Sequence, residues 1–153
     1  MLPNKKAKAI LDQIYYATLS TVDSDGNPWN TPVYCVYDES YNIYWASYVE
    51  SQHSQNIYAN HKVFIVVYDS TLLWGMGTGV FIQAQAREVT DPIEIAKACE
   101  LRKIRVSDAN QPPDDFIGNR PRRIYRATPQ QMWINQDSEV NGHFIDERAD
   151  VKL

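Results

Sequence analysis

Residues 17–47 read ATLSTVDSDGNPWNTPVYCVYDESYNIYWAS and set three β-type segments between two turn clusters. Ala17–Val22 is rich in β-branched residues, which favour the pleated, half-buried surface of a sheet. Asp23–Asn27 follows as a turn, with Gly26 able to take positive φ. Asn30–Tyr37 resumes as a long strand. Pro32 has no N–H for a ladder, so the chain there faces an edge, a bulge or a ligand. Asp38–Asn42 turns again, and Ile43–Ser47 returns. Short links between such segments predict an antiparallel meander.

Working outward, residues 4–16 place Ala7, Ile10, Leu11 and Ile14 on one helical face behind an Asn4 cap, a lid for one end of a sheet. A second helix is expected at about 52–60, closed by Asn60 and His61. Val63–Tyr68 is a continuous apolar run that reads as a strand buried on both faces. A loop at 70–79 holds Gly75, Gly77 and Gly79. Val80–Val89 is a strand whose later half alternates small apolar with polar residues. Asp91-Pro92-Ile93-Glu94 starts a helix that runs to about Ile104: an Asp cap, Pro in the first turn and Glu three residues on. Residues 107–121, with three Pro, read as a surface loop. Arg123–Thr128 is a sixth strand, Gln131–Asn135 begins the last structured piece, and the polar tail 136–153 holds one more candidate strand at Phe144–Arg148. The expected fold is mainly β (α+β): a six-stranded antiparallel split β-barrel with peripheral helices, formed by residues 1–153 as a single domain.

Composition narrows the function. The chain has 153 residues, 44% of them hydrophobic and 22% charged, which suits one globular domain with a real core. Lys plus Arg number 15 against 19 Asp plus Glu, so the net charge is 15 − 19 = −4. A nucleic-acid clamp needs a clustered basic excess, so nucleic acid is not an expected partner. No run of about 20 apolar residues is present, so no membrane span is expected. The first residues carry no apolar signal segment, and two widely separated cysteines, Cys35 and Cys99, suit a reducing compartment; a cytoplasmic location is expected. Ten Tyr and four Trp exceed the needs of a small core, and amphipathic aromatics often line interfaces or flat-ligand sites.

Several sites are absent from the sequence. There is no GxGxxG, GxxxxGK[ST] or GxSxG pattern, so the corresponding phosphate loops and the nucleophile elbow are missing. Gly75–Gly79 lies between strands and opens no helix. Asp23-Ser24-Asp25-Gly26 lacks the later Glu of a calcium loop. His53, His61 and His143 are too scattered to share a metal, and none is expected. No catalytic residue is assigned.

The chemistry-bearing stretch is IYWASYVESQHSQNI, residues 43–57. It is a strand that ends in small residues and enters a helix through Ser-Gln-His-Ser. A helix start presents unpaired N–H groups and the positive end of the macrodipole. Ser47, Ser51 and Ser54 hydroxyls and the His53 imidazole would add donors around a phosphate. Ordinary capping by Ser51 explains the same spacing.

The ordered set strand, DxDGxP, strand, IYW-small-Ser, then SxHSxN and a strand ending in YDS resembles the pyridoxamine 5′-phosphate oxidase-like family of FMN-binding split barrels. The similarity runs from about Tyr16 to Trp133. It implies a homodimer with FMN at the subunit interface and a small-molecule substrate of unassigned kind. Asn30, Thr31, Pro32 and Val33 match the segment along the flavin ring. Trp45, Ala46 and Ser47 match the strand end near the ring and ribityl chain, and Ser51, His53 and Ser54 the phosphate turn. Trp133 matches an aromatic that reaches the partner's flavin. The resemblance thus implies a flavin-dependent oxidoreductase; a non-catalytic flavin-binding sensor or storage protein, a haem- or deazaflavin-binding member and a barrel with an empty site are the alternatives. Two departures count against vitamin B6 oxidase activity. His53, a weaker and pH-dependent cation, stands where the family carries a Lys, which implies FMN binding that is weaker or rises as pH falls unless Arg122 or Arg123 helps. Asn141–Arg148 lacks the Arg-x-His that grips the substrate phosphate, and the second strand has no Arg or Lys. Tyr34, Tyr48 and Trp74 are candidate walls for a substrate pocket.

Overall fold

The computed structural model describes residues 3–106 and 110–152. Eight strands and three helices follow in the order α1 (Pro3–Gln13), β1 (Tyr16–Val22), β2 (Pro28–Tyr34), β3 (Val36–Tyr37), β4 (Ile43–Tyr48), α2 (Gln52–Ala59), β5 (Lys62–Tyr68), β6 (Gly79–Glu88), α3 (Pro92–Arg105), β7 (Arg122–Val140) and β8 (His143–Asp150). The order in the sheet is β2-β1-β5-β6-β7-β4-β3, with β8 beside β7. The two ends of that order, β2 and β3, are halves of one extended segment. The break at Cys35 lets the first half pair with β1 and the second with β4. The sheet therefore curls until its ends meet through the covalent chain, which gives the split antiparallel barrel expected from sequence, with eight strands rather than six because the second segment divides at Cys35 and the tail adds β8.

The first three segments pair antiparallel in the expected order, but the second is split at Cys35 between its two neighbours. β2 pairs with β1 alone, and β4 pairs with β3 and β7. The two turns are built as read, and by one device: the Asp23 carboxylate accepts from the N–H groups of Asp25 and Asn27, and the Asp38 carboxylate from those of Ser40 and Asn42. Gly26 has φ 86°. Pro32 pairs opposite Thr18 on an edge strand and is exposed, so its missing N–H leaves no ladder bond unmade.

Inward-facing residues of every strand form the core: Leu19, Val33, Ile43, Trp45, Ile65, Ile82 and Tyr125 are among them. β5 alternates rather than being buried on both faces; Val63, Ile65 and Val67 point in while Phe64 and Val66 are half-exposed outside. α1 closes one end of the barrel with Ala7 and Leu11. It is shorter than expected, and Asn4 does not cap it. Instead the Asn4 amide clamps Lys152, donating to its carbonyl at 2.6 Å and accepting from its N–H at 3.1 Å. Arg105 of α3 holds the last turn of α1 by donating to the carbonyls of Leu11 and Ile14. α2 closes the other end, tied to β1 by Asn56 Nδ2 donating to Thr21 Oγ1 at 2.9 Å.

α3 starts as the sequence dictates, with the Asp91 carboxylate accepting from the Ile93 N–H. Its buried face, Ile95, Ala98 and Cys99, packs on Val36, Tyr44 and Ile124 from outside the sheet. β7 is one strand where two were expected. Pro129 falls at an irregularity opposite Gln83 and Ala84, which absorbs its missing N–H without ending the strand. Of the expected loop at 107–121, residues 107–109 lie outside the described residues. Pro113–Phe116 forms a 3-10 turn anchored by buried Phe116. Both cysteines are buried, free thiols.

Candidate functional site

The start of α2 and the end of β4 meet at one mouth of the barrel. Ser51 occupies the N-cap position, yet its hydroxyl makes no cap bond. It donates to the Tyr48 carbonyl at 2.7 Å and lies 2.9 Å from Ser54 Oγ. Ordinary capping thus does not account for it. The first-turn N–H groups of Gln52, His53 and Ser54 keep their donor capacity and the positive end of the helix dipole, the properties that let helix starts hold anions.

His53 is not a cation here. It is buried, with 7% of its surface exposed. Its Nε2 lies 2.8 Å from Ser47 Oγ and 3.4 Å from Ser51 Oγ. Burial holds its pKa below the ordinary value of 6.5, so the imidazole is neutral at pH 7. Its Nε2 orients the Ser47 hydroxyl beside the helix start, while the Ser51 hydroxyl is fixed by donating to the Tyr48 carbonyl. Ser54 is fully buried against Tyr125, whose hydroxyl is buried with no hydrogen-bond partner among the described residues.

The two arginines differ. Arg123 is spent locally: Nε donates to Glu88 at 3.1 Å, and its terminal nitrogens donate to the carbonyls of Gly118, Arg120 and Arg122. Glu88 also accepts from the Tyr58 hydroxyl. Arg122 stacks over Tyr48 and Phe116 at 5.8 and 5.4 Å, has no ion pair among the described residues, and sits at the β4 end beside the mouth.

The remaining sequence-derived site residues divide by face. Val33 and Trp45 point into the core; Trp45 is fully buried and stacks on Tyr125 at 5.8 Å, so a group outside can meet only its backbone. Thr31 faces in at the barrel mouth, where its hydroxyl accepts from Trp29 Nε1. Ala46 lies outside, packed toward α3. Asn30 and Pro32 face outward on β2, the Asn30 amide donating to Ser20 Oγ. Trp133 faces outward on β7. Register connects them: Pro32, Thr18, Val66, Phe81 and Trp133 form one row across five strands. Four strand spacings make the row about 19 Å long as measured along the curled sheet. Phe64 stacks on Trp133, and Arg148 covers Phe64 and Phe81 at 5.8 and 4.1 Å.

Phe64, Phe81 and Arg148 were not singled out by sequence. The period-2 pattern of β5 and β6 was the available signal, since it puts both aromatics on the face of Trp133. Tyr34, Tyr48 and Trp74 do not share a pocket. Tyr34 packs on Tyr15 and Tyr16 at the α1 end, Tyr48 is at the α2 end, and Trp74 projects fully exposed from the β5–β6 loop with Leu73 and Met76. Beside Pro32 lies a cavity of about 360 Å³ walled by Tyr15, Tyr16, Thr18 and Tyr68. No cluster of metal-ligating side chains occurs among the described residues, and no described helix is long and apolar enough to cross a membrane.

A family model described as pyridoxamine 5′-phosphate oxidase matches residues 3–136. A comparison with curated proteins returns no match. Among solved structures, a candidate 5-nitroimidazole antibiotic resistance protein from Bacteroides thetaiotaomicron is similar with a TM-score of 0.70 at 16% identity, over 88% of this chain and 84% of that one. A haem-binding protein from Mycobacterium smegmatis gives 0.70 at 15% identity, over 95% of this chain and 57% of that one. A haem storage protein from Vibrio cholerae gives 0.63 at 16% identity, over 86% and 94%. At these identities the likenesses speak for the shared barrel.

Proposed function

The chain belongs to the pyridoxamine 5′-phosphate oxidase family, and on that premise we propose that it is an FMN-binding homodimer acting as a flavin-dependent oxidoreductase on a small molecule, without vitamin B6 oxidase activity. The observation that carries this reading is the uncapped start of α2. A hydroxyl in the N-cap position is turned away from the first-turn N–H groups to the Tyr48 carbonyl, and Ser47 is oriented by a neutral imidazole at its side. A phosphate placed there meets backbone N–H groups and hydroxyls, with Arg122 as the nearest uncommitted cation. His53 acts as a positioning residue, not as a substitute for Lys. Asn30, Thr31, Pro32 and Val33 supply the backbone edge along which a flat ring lies, and Trp45, Ala46 and Ser47 the strand end below it.

The outer row supports the homodimer. Pro32 and Trp133 stand at opposite ends of it, so one protomer does not bring both to one ring. A two-fold axis near Val66 in the middle of the row places the Pro32 of one protomer against the Trp133 of its partner, the self-complementary arrangement of an isologous interface. When bound, the flavin supplies the hydride chemistry; the residues named here hold its phosphate, orient its ring and exclude water from its face.

Titration of FMN fluorescence tests this. The wild-type chain is expected to quench FMN saturably. Replacing both hydroxyls, Ser47→Ala with Ser51→Ala, is expected to weaken binding about tenfold or more, the loss of hydrogen bonds to a charged acceptor. FMN fluorescence left untouched by the wild-type chain would sink the proposal, and a haem spectrum with a Soret band in place of flavin binding would move the chain to the haem-binding reading.

A further inference from the structure

At the border between the part of the outer sheet face that α3 covers and the part it leaves bare, the surface carries an excess of one charge. Arg87 on β6 and Arg126 on β7 lie directly opposite each other, a juxtaposition that is unfavourable for like charges. A single carboxylate holds them together: Glu94 accepts from Arg87 at 2.8 Å with one oxygen and from Arg126 at 2.7 Å with the other. The neighbouring row of the same face is Lys62, Gln85 and Thr128. Lys62 is exposed and forms no ion pair among the described residues. Three permanent cations thus stand against one carboxylate, a local excess of two positive charges on a chain whose net charge is −4.

The surface is concave at this point. A cavity of about 480 Å³ is walled by His61, Gln85, Ala86, Arg87, Arg126 and Thr128, within the size range of small-molecule sites. Arg126 also keeps a buried Nε with no acceptor among the described residues, an arrangement that costs free energy until an acceptor is supplied. The wall holds two guanidinium groups that share Glu94, an amide and a hydroxyl, and Lys62, which does not line it but lies beside Gln85 at its rim, brings the local excess to two. That matches a phosphate ester, which carries about −1.5 to −2 charges at pH 7 and three acceptor oxygens. We propose that this cavity binds a small organic phosphomonoester through Lys62, Arg87 and Arg126, with Gln85 and Thr128 as uncharged partners. The site is separate from the α2 start, and it stands whether or not the chain holds FMN.

Amide NMR of the full-length ¹⁵N-labelled chain, titrated with phenyl phosphate and separately with benzoate, tests the assignment. Phenyl phosphate is expected to shift the amides of Gln85, Ala86, Arg87, Arg126 and Thr128 saturably, and benzoate to bind there at least about tenfold more weakly. Lys62→Gln is expected to lower phosphate affinity about threefold, as for one exposed charge contact, and Lys62→Gln with Arg87→Gln by about tenfold or more, with the rest of the spectrum unchanged. Because Lys62 is exposed, the single variant keeps the test decisive if the double one fails to fold. The proposal is overturned if these amides do not respond, if responses appear only around Ser47–Ser54, if benzoate binds equally well, or if Lys62→Gln leaves the affinity unchanged.

Discussion

Over β3, β4 and the first half of β7, the outer face of the sheet carries Val36, Tyr44 and Ile124, each essentially inaccessible beneath α3. Over β1, β5, β6 and the second half of β7, the same face carries Thr18, Val66, Phe81 and Trp133, each half-exposed. The strands alternate in the same way in both regions, so the difference lies in what the chain folds back over them. On the first region it lays a capped fourteen-residue helix. On the second, among the described residues, it offers the Arg148 guanidinium over two aromatic rings. The covered region buries Val36, Tyr44 and Ile124 under the apolar face of α3, whereas the bare one leaves Phe64, Phe81 and Trp133 partly exposed, aromatics of the kind favoured where a surface meets a partner or a flat ligand. That contrast underlies the dimer we propose.

The largest expected effect lies in the covered region. Ile124→Ala should lower unfolding stability by about 2–5 kcal/mol, the usual range for truncating a buried aliphatic side chain, and urea denaturation should show the same loss at every protein concentration. Phe81→Ala should behave differently. Its cost to the isolated protomer should be below that of Ile124→Ala, whereas self-association should weaken by about 2 kcal/mol, roughly thirtyfold in Kd. Sedimentation over a dilution series separates the two. If Phe81→Ala destabilised the chain as Ile124→Ala does, with no dependence on concentration, the bare region would be bare only in appearance.

The third effect concerns the helix that makes the difference. Asp91→Ala removes the cap of α3 and should cost about 1 kcal/mol in thermal or chemical unfolding. The smallest is a pH effect. His53 is held below 6.5 by burial, so as pH falls through 6.5 the unfolded chain takes up this proton before the folded chain does. Stability is therefore fully present above pH 6.5 and declines as pH falls from there toward the folded value. His53→Gln should flatten that part of the curve. A wild-type stability that rose on acidification through this window would contradict a buried neutral imidazole.

Much of this was legible in the sequence, for identifiable reasons. Asp91-Pro92-Ile93-Glu94 and the Asp23 and Asp38 turns are local devices whose partners lie within four residues, so the pattern alone located them. The hairpin pairings of β1 with β2 and of β3 with β4 were legible from their short links, whereas the pairings of β1 with β5 and of β4 with β7, which close the barrel and split the second segment at Cys35, join residues far apart in sequence. At the candidate site, Ser47, Ser51, His53 and Ser54 lie together because a strand end and a helix start joined by three residues must stay close. The state of His53 was not legible, since its burial comes from α2 lying across the barrel mouth. The Glu94 pairing of Arg87 with Arg126 was hidden for the same reason: it joins three elements that meet only in the folded chain.

The central claim is that a second copy covers the bare face and that FMN sits in the seam. Size-exclusion chromatography with light scattering and in-line visible absorbance, on protein given FMN and freed of excess, reads mass and flavin content together. The account predicts a species of twice 17.6 kDa carrying about one flavin per chain. A colourless species of 17.6 kDa would contradict it.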